Sequence, residues 1–183
     1  IEDKIFPKRN SLEPGIQQIL QKPEVFAQKI RRGKSVQISN DFMIIARLES
    51  LIAGKSVDDA LSRAQVYLEA GADSVMVHSK SKKPNQIMEF AERYQKVTQE
   101  MNTNKPLVCV PTTYNTMTED ELRAAGFRII IYANHLLRAA YKVMEEVARI
   151  ILLNQRSFEV DPMCSPVREI FNAVGFMDVK EKD

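Results

Sequence analysis

Acidic, cationic and imidazole side chains follow the short apolar runs of this chain, and that placement marks them for chemistry. Glu2, Asp3 and Lys4 come after Ile1. Met43-Ile44-Ile45-Ala46 leads into Arg47 and Glu49, and Ser74-Val75-Met76-Val77 into His78 and Ser79. Leu107-Val108-Cys109-Val110 leads to Thr112 and Thr113, and Arg128-Ile129-Ile130-Ile131-Tyr132 to Asn134 and His135. A carboxylate, a guanidinium and an imidazole converging on one mouth suit a divalent cation together with an anionic substrate. Each residue also has a plainer role. An apolar run delivers Arg47 directly to the mouth, so a functional reading is favoured over a solvated charge. His78 stands equally well as a satisfied structural histidine. Glu49 reads as the ion-pair partner of Arg47 or of a loop cation. His135 reads as a cap or supporting group at a helix start, and Asn134 as that helix's N-cap.

The stretch Lys4-Ile5-Phe6-Pro7-Lys8-Arg9-Asn10-Ser11 combines three cations, a proline-stiffened turn and two small polar groups. It opens a segment of roughly twenty residues, Asp3 to about Pro23, with no evident helix or strand pattern, and such segments are commonly lids or binding loops. Ile5 and Phe6 would need an apolar surface to cover them when the loop closes. A solvated surface loop is the alternative.

The elements that must carry these residues follow from the pattern. The apolar runs are short, rich in β-branched residues and without polar alternation, as in strands buried on both faces of a parallel sheet. Amphipathic segments separate them. One spans Val57 to Ala70, with Ser56 or Asp58 as N-cap and Gly71 as the stop, and another spans Pro84 to Gln99. Thr118 to Ala125 opens with a capping box, and a long helix begins at Asn134. A further helix covers Glu24 to Arg32 and is expected to stop at Gly33. Strand centres lie about 31, 33 and 22 residues apart, which suits βα units. No glycine-rich fingerprint follows any strand, so a nucleotide cradle in an open doubly wound sheet is poorly supported.

The fold expected is therefore α/β: the C-terminal half or more of a (β/α)₈ barrel. Residues 1–160 run from the end of its fourth strand through its eighth helix, and residues 161–183 form a C-terminal helix and tail. A complete barrel takes roughly 250 residues, so about half of it is expected upstream of Ile1. The closing helix, Val167 to Val174, packs either on its own barrel or on a neighbouring subunit.

Composition narrows the function. The 26 basic and 24 acidic residues are mixed along the chain and leave a net charge of +2, so neither nucleic acid nor a membrane surface is indicated as a partner. Lys80-Ser81-Lys82-Lys83 is the densest basic cluster and reads as a solvated loop. The two cysteines, Cys109 and Cys164, form neither a disulfide framework nor a zinc site, which fits a cytoplasmic protein. No apolar run approaches the roughly 18 residues of a membrane helix.

Several motifs taken together resemble the phosphoenolpyruvate mutase family of the isocitrate lyase superfamily. They are Ile1-Glu2-Asp3-Lys4 with Phe6-Pro7-Lys8 and Asn10-Ser11; Ile45-Ala46-Arg47-Leu48-Glu49 with Ile52-Ala53-Gly54; Arg63-Ala64, Tyr67 and Glu69-Ala70-Gly71-Ala72-Asp73; His78-Ser79-Lys80; Val110-Pro111-Thr112; Ala133-Asn134-His135; and Val167-Arg168-Glu169-Ile170-Phe171. The resemblance implies interconversion of phosphoenolpyruvate and phosphonopyruvate by Mg²⁺-dependent intramolecular phosphoryl transfer. It assigns Asn10, Ser11, Arg47 and His78 to the phosphoryl group and Lys8 to the closing loop. Glu2 would reach the metal chiefly through water, the other metal ligands lying upstream. It further implies a homo-oligomer, dimer or tetramer, with its last helix exchanged between subunits. The superfamily's carbon–carbon lyases carry Cys-Gly-His where Asn10-Ser11 follows Lys8-Arg9 here, which argues against lyase chemistry. Phosphonopyruvate hydrolase is the nearer alternative, and Ile5 and Asn10 favour the mutase. A catalytically silent barrel module is a third reading.

Overall fold

The computed structural model describes residues 1–176, and its contacts divide the chain into two compact units, Ile1–Ala133 and Asn134–Asp183. In the first unit, helix α1 (Pro23–Ser35) precedes three alternating βα pairs and a last strand. These are β1 (Ile45–Leu48) with α2 (Val57–Glu69), β2 (Ser74–Val77) with α3 (Asn85–Glu100), β3 (Leu107–Cys109) with α4 (Glu119–Ala124), and β4 (Phe127–Ile130). All strand pairs are parallel and the spatial order is β1-β2-β3-β4. An open doubly wound sheet reverses its strand order at a switch point. No reversal occurs across these four strands, as in a stretch of barrel wall. Ile1–Asp3 extends the wall on the other side of β1. Arg47 N–H donates to Ile1 O at 2.7 Å and Asp3 N–H to Arg47 O at 3.2 Å, a parallel bridge between Glu2 and Arg47.

Strand β1 lies further along the chain than the apolar run suggested, so Arg47 is inside the strand and not beyond it. The neighbouring Ile1–Asp3 segment supplies the ladder partners that carry pairing past Ala46. Ala46 and Leu48 are buried in the core with α2 and α3, whereas Arg47, on the opposite face of the strand, is only half-buried. Helix α1 likewise passes through Gly33, which was expected to stop it. Gly33 is there for space: a Cβ would come within 2.7 Å of Ile44 Cδ1. The helix break expected at Gly71 is found, and α4 likewise ends before Gly126; both glycines have positive φ (100° and 103°).

The caps agree with the sequence. Ser56 accepts from Asp59 N–H, and Thr118 and Glu121 form a reciprocal capping box. The core is one cluster in which Phe26 and Ile30 of α1, the inner face of α2, and Ile87, Phe90 and Tyr94 of α3 pack against the sheet. Phe26 meets Tyr67 edge-on with ring centroids 4.7 Å apart.

The second unit begins with α5 (His135–Asn154), which leads through a 3₁₀ turn (Phe158–Met163) absent from the sequence expectations to α6 (Val167–Ala173). Asn134 is the N-cap of α5 by position but makes no side-chain cap bond. Neither α5 nor α6 has a buried residue; Leu136, Leu152, Leu153, Val167 and Val174 are among their exposed apolar side chains. Among the described residues, no helix is long and apolar enough to cross a membrane.

Candidate functional site

The side chains singled out in the sequence meet because of the sheet register. Leu48 pairs with Val77, so one step further along the parallel strands Glu49 neighbours His78. Arg47, two residues before Glu49, shares its face of the strand. Arg47 Nε donates to Glu49 Oε1 at 2.6 Å, and Arg47 Nη2 lies 2.9 Å from both Ser11 Oγ and His78 Nδ1. Glu2 Oε2 is 3.4 Å from Arg47 Nε, which places the first acidic residue of the chain at the same cluster.

Glu49 is the centre of this group and is fully buried. Its Oε2 accepts the Ser11 hydroxyl proton and lies 3.4 Å from Lys4 Nζ, while Oε1 lies 3.3 Å from His78 Nδ1. Burial alone would raise its pKa. The Ser11 hydroxyl proton, together with the charge and hydrogen bond of Arg47, opposes burial and lowers the pKa. Glu49 is therefore an anion at any physiological pH. The sequence-based pairing of Glu49 with Arg47 is met, with a second cation, Lys4, alongside.

Two further groups were named at the strand end in the sequence but given no role there. Lys4 is buried to 2% exposure, and its ammonium reaches Arg9 O, Ser11 Oγ (3.1 Å) and Gln18 Oε1 (3.2 Å), with Glu2 Oε1 at 3.6 Å. All three of its protons thus serve the loop. Asp3 is fully buried as well. Its Oδ1 accepts from Glu49 N–H at 2.9 Å, and its Oδ2 takes Tyr67 O–H at 2.9 Å and faces Arg63 Nη1 at 3.3 Å. Burial is the main reason its pKa is raised, and the hydrogen bonds from Glu49 and Tyr67 offset this only in part. The available signal was the Asp3-Lys4 pair at a strand end, together with an arginine and a tyrosine four residues apart on one helix face.

The loop after Asp3 is a closed excursion. Ile5 N–H donates to Ile19 O at 2.9 Å, Gln21 N–H to Asp3 O at 2.8 Å, and Lys4 and Leu20 form an antiparallel bridge at its neck. The Phe6–Pro7 peptide is cis. Lys8 Nζ donates to Glu2 O at 3.1 Å and lies 3.9 Å from Glu2 Oε1. Asn10 is exposed, next to Ser11, and its Oδ1 accepts from Leu12 N–H at 2.9 Å. Ile5 and Phe6 are exposed on the loop, Phe6 to 83%. The structure thus brings Ser11, Arg47 and His78 together around Glu49, with Glu2 against Arg47, Lys8 against Glu2, and Asn10 next to Ser11 in the loop. Thr113 Oγ1 instead donates to Ser79 O at 2.8 Å, bracing the β2 and β3 loops, and Asn134 and His135 belong to the second unit.

A divalent ion needs several oxygen ligands. Among the described residues no cluster of three or more metal-capable side chains occurs. The carboxylate at the mouth, Glu2, has cations on three sides. It can contribute one ligand toward an ion and does not make a site alone.

A segment of parallel barrel wall carries an arginine, a histidine and an acidic residue at its C-terminal mouth beside a cationic loop, a set of groups chemically able to hold an anion. The family model for phosphoenolpyruvate phosphomutase matches residues 1–152, and the chain belongs to that family. A phosphoenolpyruvate phosphomutase of Tetrahymena pyriformis is 38% identical over 183 residues, covering all of this chain and 59% of that protein. The crystal structure of a phosphoenolpyruvate phosphomutase from Streptomyces platensis subsp. rosaceus superposes with a TM-score of 0.91 at 39% identity, covering all of this chain and 61% of that one. A phosphonopyruvate hydrolase solved with oxalate and Mg²⁺ gives 0.84 at 36%, covering 99% of this chain and 59% of that one. The chain therefore spans about three-fifths of the relatives it matches, and its parallel α/β sheet is part of a TIM barrel.

Proposed function

We propose that the protein containing this chain interconverts phosphoenolpyruvate and phosphonopyruvate by Mg²⁺-dependent intramolecular phosphoryl transfer, forming the carbon–phosphorus bond of phosphonate biosynthesis. The observation carrying this reading is the cluster of Arg47, His78 and Ser11 at one strand mouth, beneath the loop bearing Lys8 and Asn10. A loose, metaphosphate-like transfer needs positioned donors and positive charge more than strong bases. Arg47 offers its remaining guanidinium protons to the phosphoryl oxygens, and His78 offers a ring N–H. Asn10 and Lys8 come down with the loop. Ser11 already gives its one proton to Glu49, so as arranged here it acts on the phosphoryl group by seating Arg47. Closure of the loop excludes water, which would otherwise take the phosphoryl group.

Bound Mg²⁺ would stabilise the pyruvyl enolate, with Glu2 contributing toward it through water; the presence of Mg²⁺ in the solved hydrolase supports this. A homodimer or homotetramer is the assembly favoured by the uncovered apolar side chains of α5 and α6. Two unpaired cysteines fit a cytoplasmic location.

Following phosphonopyruvate by phosphorus NMR with the full-length protein and Mg²⁺ tests the proposal. Phosphoenolpyruvate as product supports it. Inorganic phosphate would replace it with phosphonopyruvate hydrolysis, a reading favoured by the similarity to the solved hydrolase, and an unchanged spectrum would leave a non-catalytic barrel.

A further inference from the structure

Proton bookkeeping around Glu49 carries one step further than the reading above, on which it rests. Arg47 has five N–H protons and no acceptor, and it stays protonated in proteins. Its Nε proton is tied to Glu49 Oε1, which fixes the turn of the guanidinium plane. That orientation brings Nη2 to 2.9 Å from both Ser11 Oγ and His78 Nδ1. Ser11 is committed to donating to Glu49 Oε2, so its oxygen is free to accept from Arg47. His78 Nδ1 has Arg47, which can only donate, at 2.9 Å and Glu49, which can only accept, at 3.3 Å; the closer contact points to Nδ1 as the lone-pair nitrogen. The longer 3.3 Å approach of Nδ1 to Glu49 Oε1 is then a contact between two acceptors with the Arg47 edge beside them. A proton on Nδ1 would instead direct one N–H at another across 2.9 Å.

We propose that Glu49 is a positioning residue: through Arg47 it holds His78 in the neutral tautomer with its proton on Nε2. The donors left for a ligand are then the two Nη1 protons of Arg47 and the single Nε2 proton of His78. Lys4 contributes none, its ammonium being used by Arg9, Ser11 and Gln18. Asp3 completes the device by fixing the backbone of Glu49 through its N–H. A histidine held this way donates without itself being a charged acid, so it can bind a phosphoryl oxygen without protonating the enolate carbon or oxygen.

The tautomer is directly readable. A long-range proton–nitrogen correlation spectrum of nitrogen-15-labelled full-length protein, without ligand and at about pH 8, above the ordinary imidazole range, reports which ring nitrogen carries the proton. The His78 signals are those missing in His78→Asn. The expected result is a protonated Nε2 and a lone-pair Nδ1. In Glu49→Gln we expect a mixed tautomer and a kcat lower by about ten-fold or more, with KM changed less than about three-fold, because binding charge is retained and orientation lost. Should Glu49→Gln fail to fold, Arg47→Lys removes the fork while keeping the charge, and the same mixed tautomer is expected. A proton on Nδ1 in the wild-type spectrum overturns the proposal. So does a folded variant whose tautomer and kcat are unchanged. A protein that shows the expected tautomer but converts no phosphonopyruvate removes the proposed reaction and leaves this arrangement standing.

Discussion

Arg47 shows how much one side chain can be asked to do here. It pairs with an internal carboxylate, orders a loop serine, faces an imidazole, and keeps two protons for a ligand. Arg47→Ala in the full-length protein is expected to lower kcat/KM for phosphonopyruvate by about 100-fold or more, as when a preorganised charge is lost from a transition state, and steady-state kinetics checks it. Glu49 makes a second prediction, in stability. Its folded pKa lies below its ordinary value of 4.5, so the folded state binds its proton less readily than the unfolded chain. The stabilisation from Glu49 is therefore complete above about pH 4.5 and disappears as pH falls through its lower folded pKa. Urea midpoints measured at decreasing pH across that window should fall more steeply for the wild type than for Glu49→Gln; parallel curves would refute the assignment.

At the scale of elements, close approaches decide what the sequence can vary. At Gly33 a methyl group would press on the movable end of the Ile44 side chain. The helix gain of about 1 kcal/mol expected of Gly33→Ala should therefore be largely offset by the repacking. Ile44→Val in the same chain should recover part of that gain, since the two sites share one contact; denaturant melts of the double-mutant cycle measure this. The same residue explains a misreading of the sequence, because a glycine after a helical run looks like a stop until the neighbouring strand is in place. Periodicity and caps placed nearly every helix and strand, since those depend on residues close in sequence. The start of β1 was displaced because its pairing partner, Ile1–Asp3, is more than 40 residues away in the chain. At the site, Arg47, His78 and Ser11 were legible because strand ends and the loop motif mark them. Lys4 and the Asp3–Tyr67–Arg63 group were less so: their importance lies in burial, and an aspartate or lysine in a sequence reads first as surface.

At the scale of the whole molecule, the chain carries part of a larger barrel. Under the proposed function Glu2 is the carboxylate it would offer toward Mg²⁺, and a divalent ion needs several more oxygens. Residues 1–183 expressed alone are therefore expected to convert no detectable phosphonopyruvate, even with excess Mg²⁺, by phosphorus NMR. The exposed leucines of α5 should make this polypeptide bind an apolar dye such as anilinonaphthalene sulfonate, and Leu152→Glu with Leu153→Glu should reduce that fluorescence. An active isolated polypeptide would mean that the described residues suffice after all.

The pinched neck of the loop between Lys4 and Leu20 has a consequence for how such a protein can diversify. Everything between those two residues hangs from a fixed frame, and Gly15 at its outer turn has open space around it. Because the entropy of closing a loop grows only slowly with length, residues can be added or exchanged there at little cost to folding. The outer turn is thus free to vary, whereas Ser11 and Gln18 on the same loop are held in place by Glu49, Arg47 and Lys4.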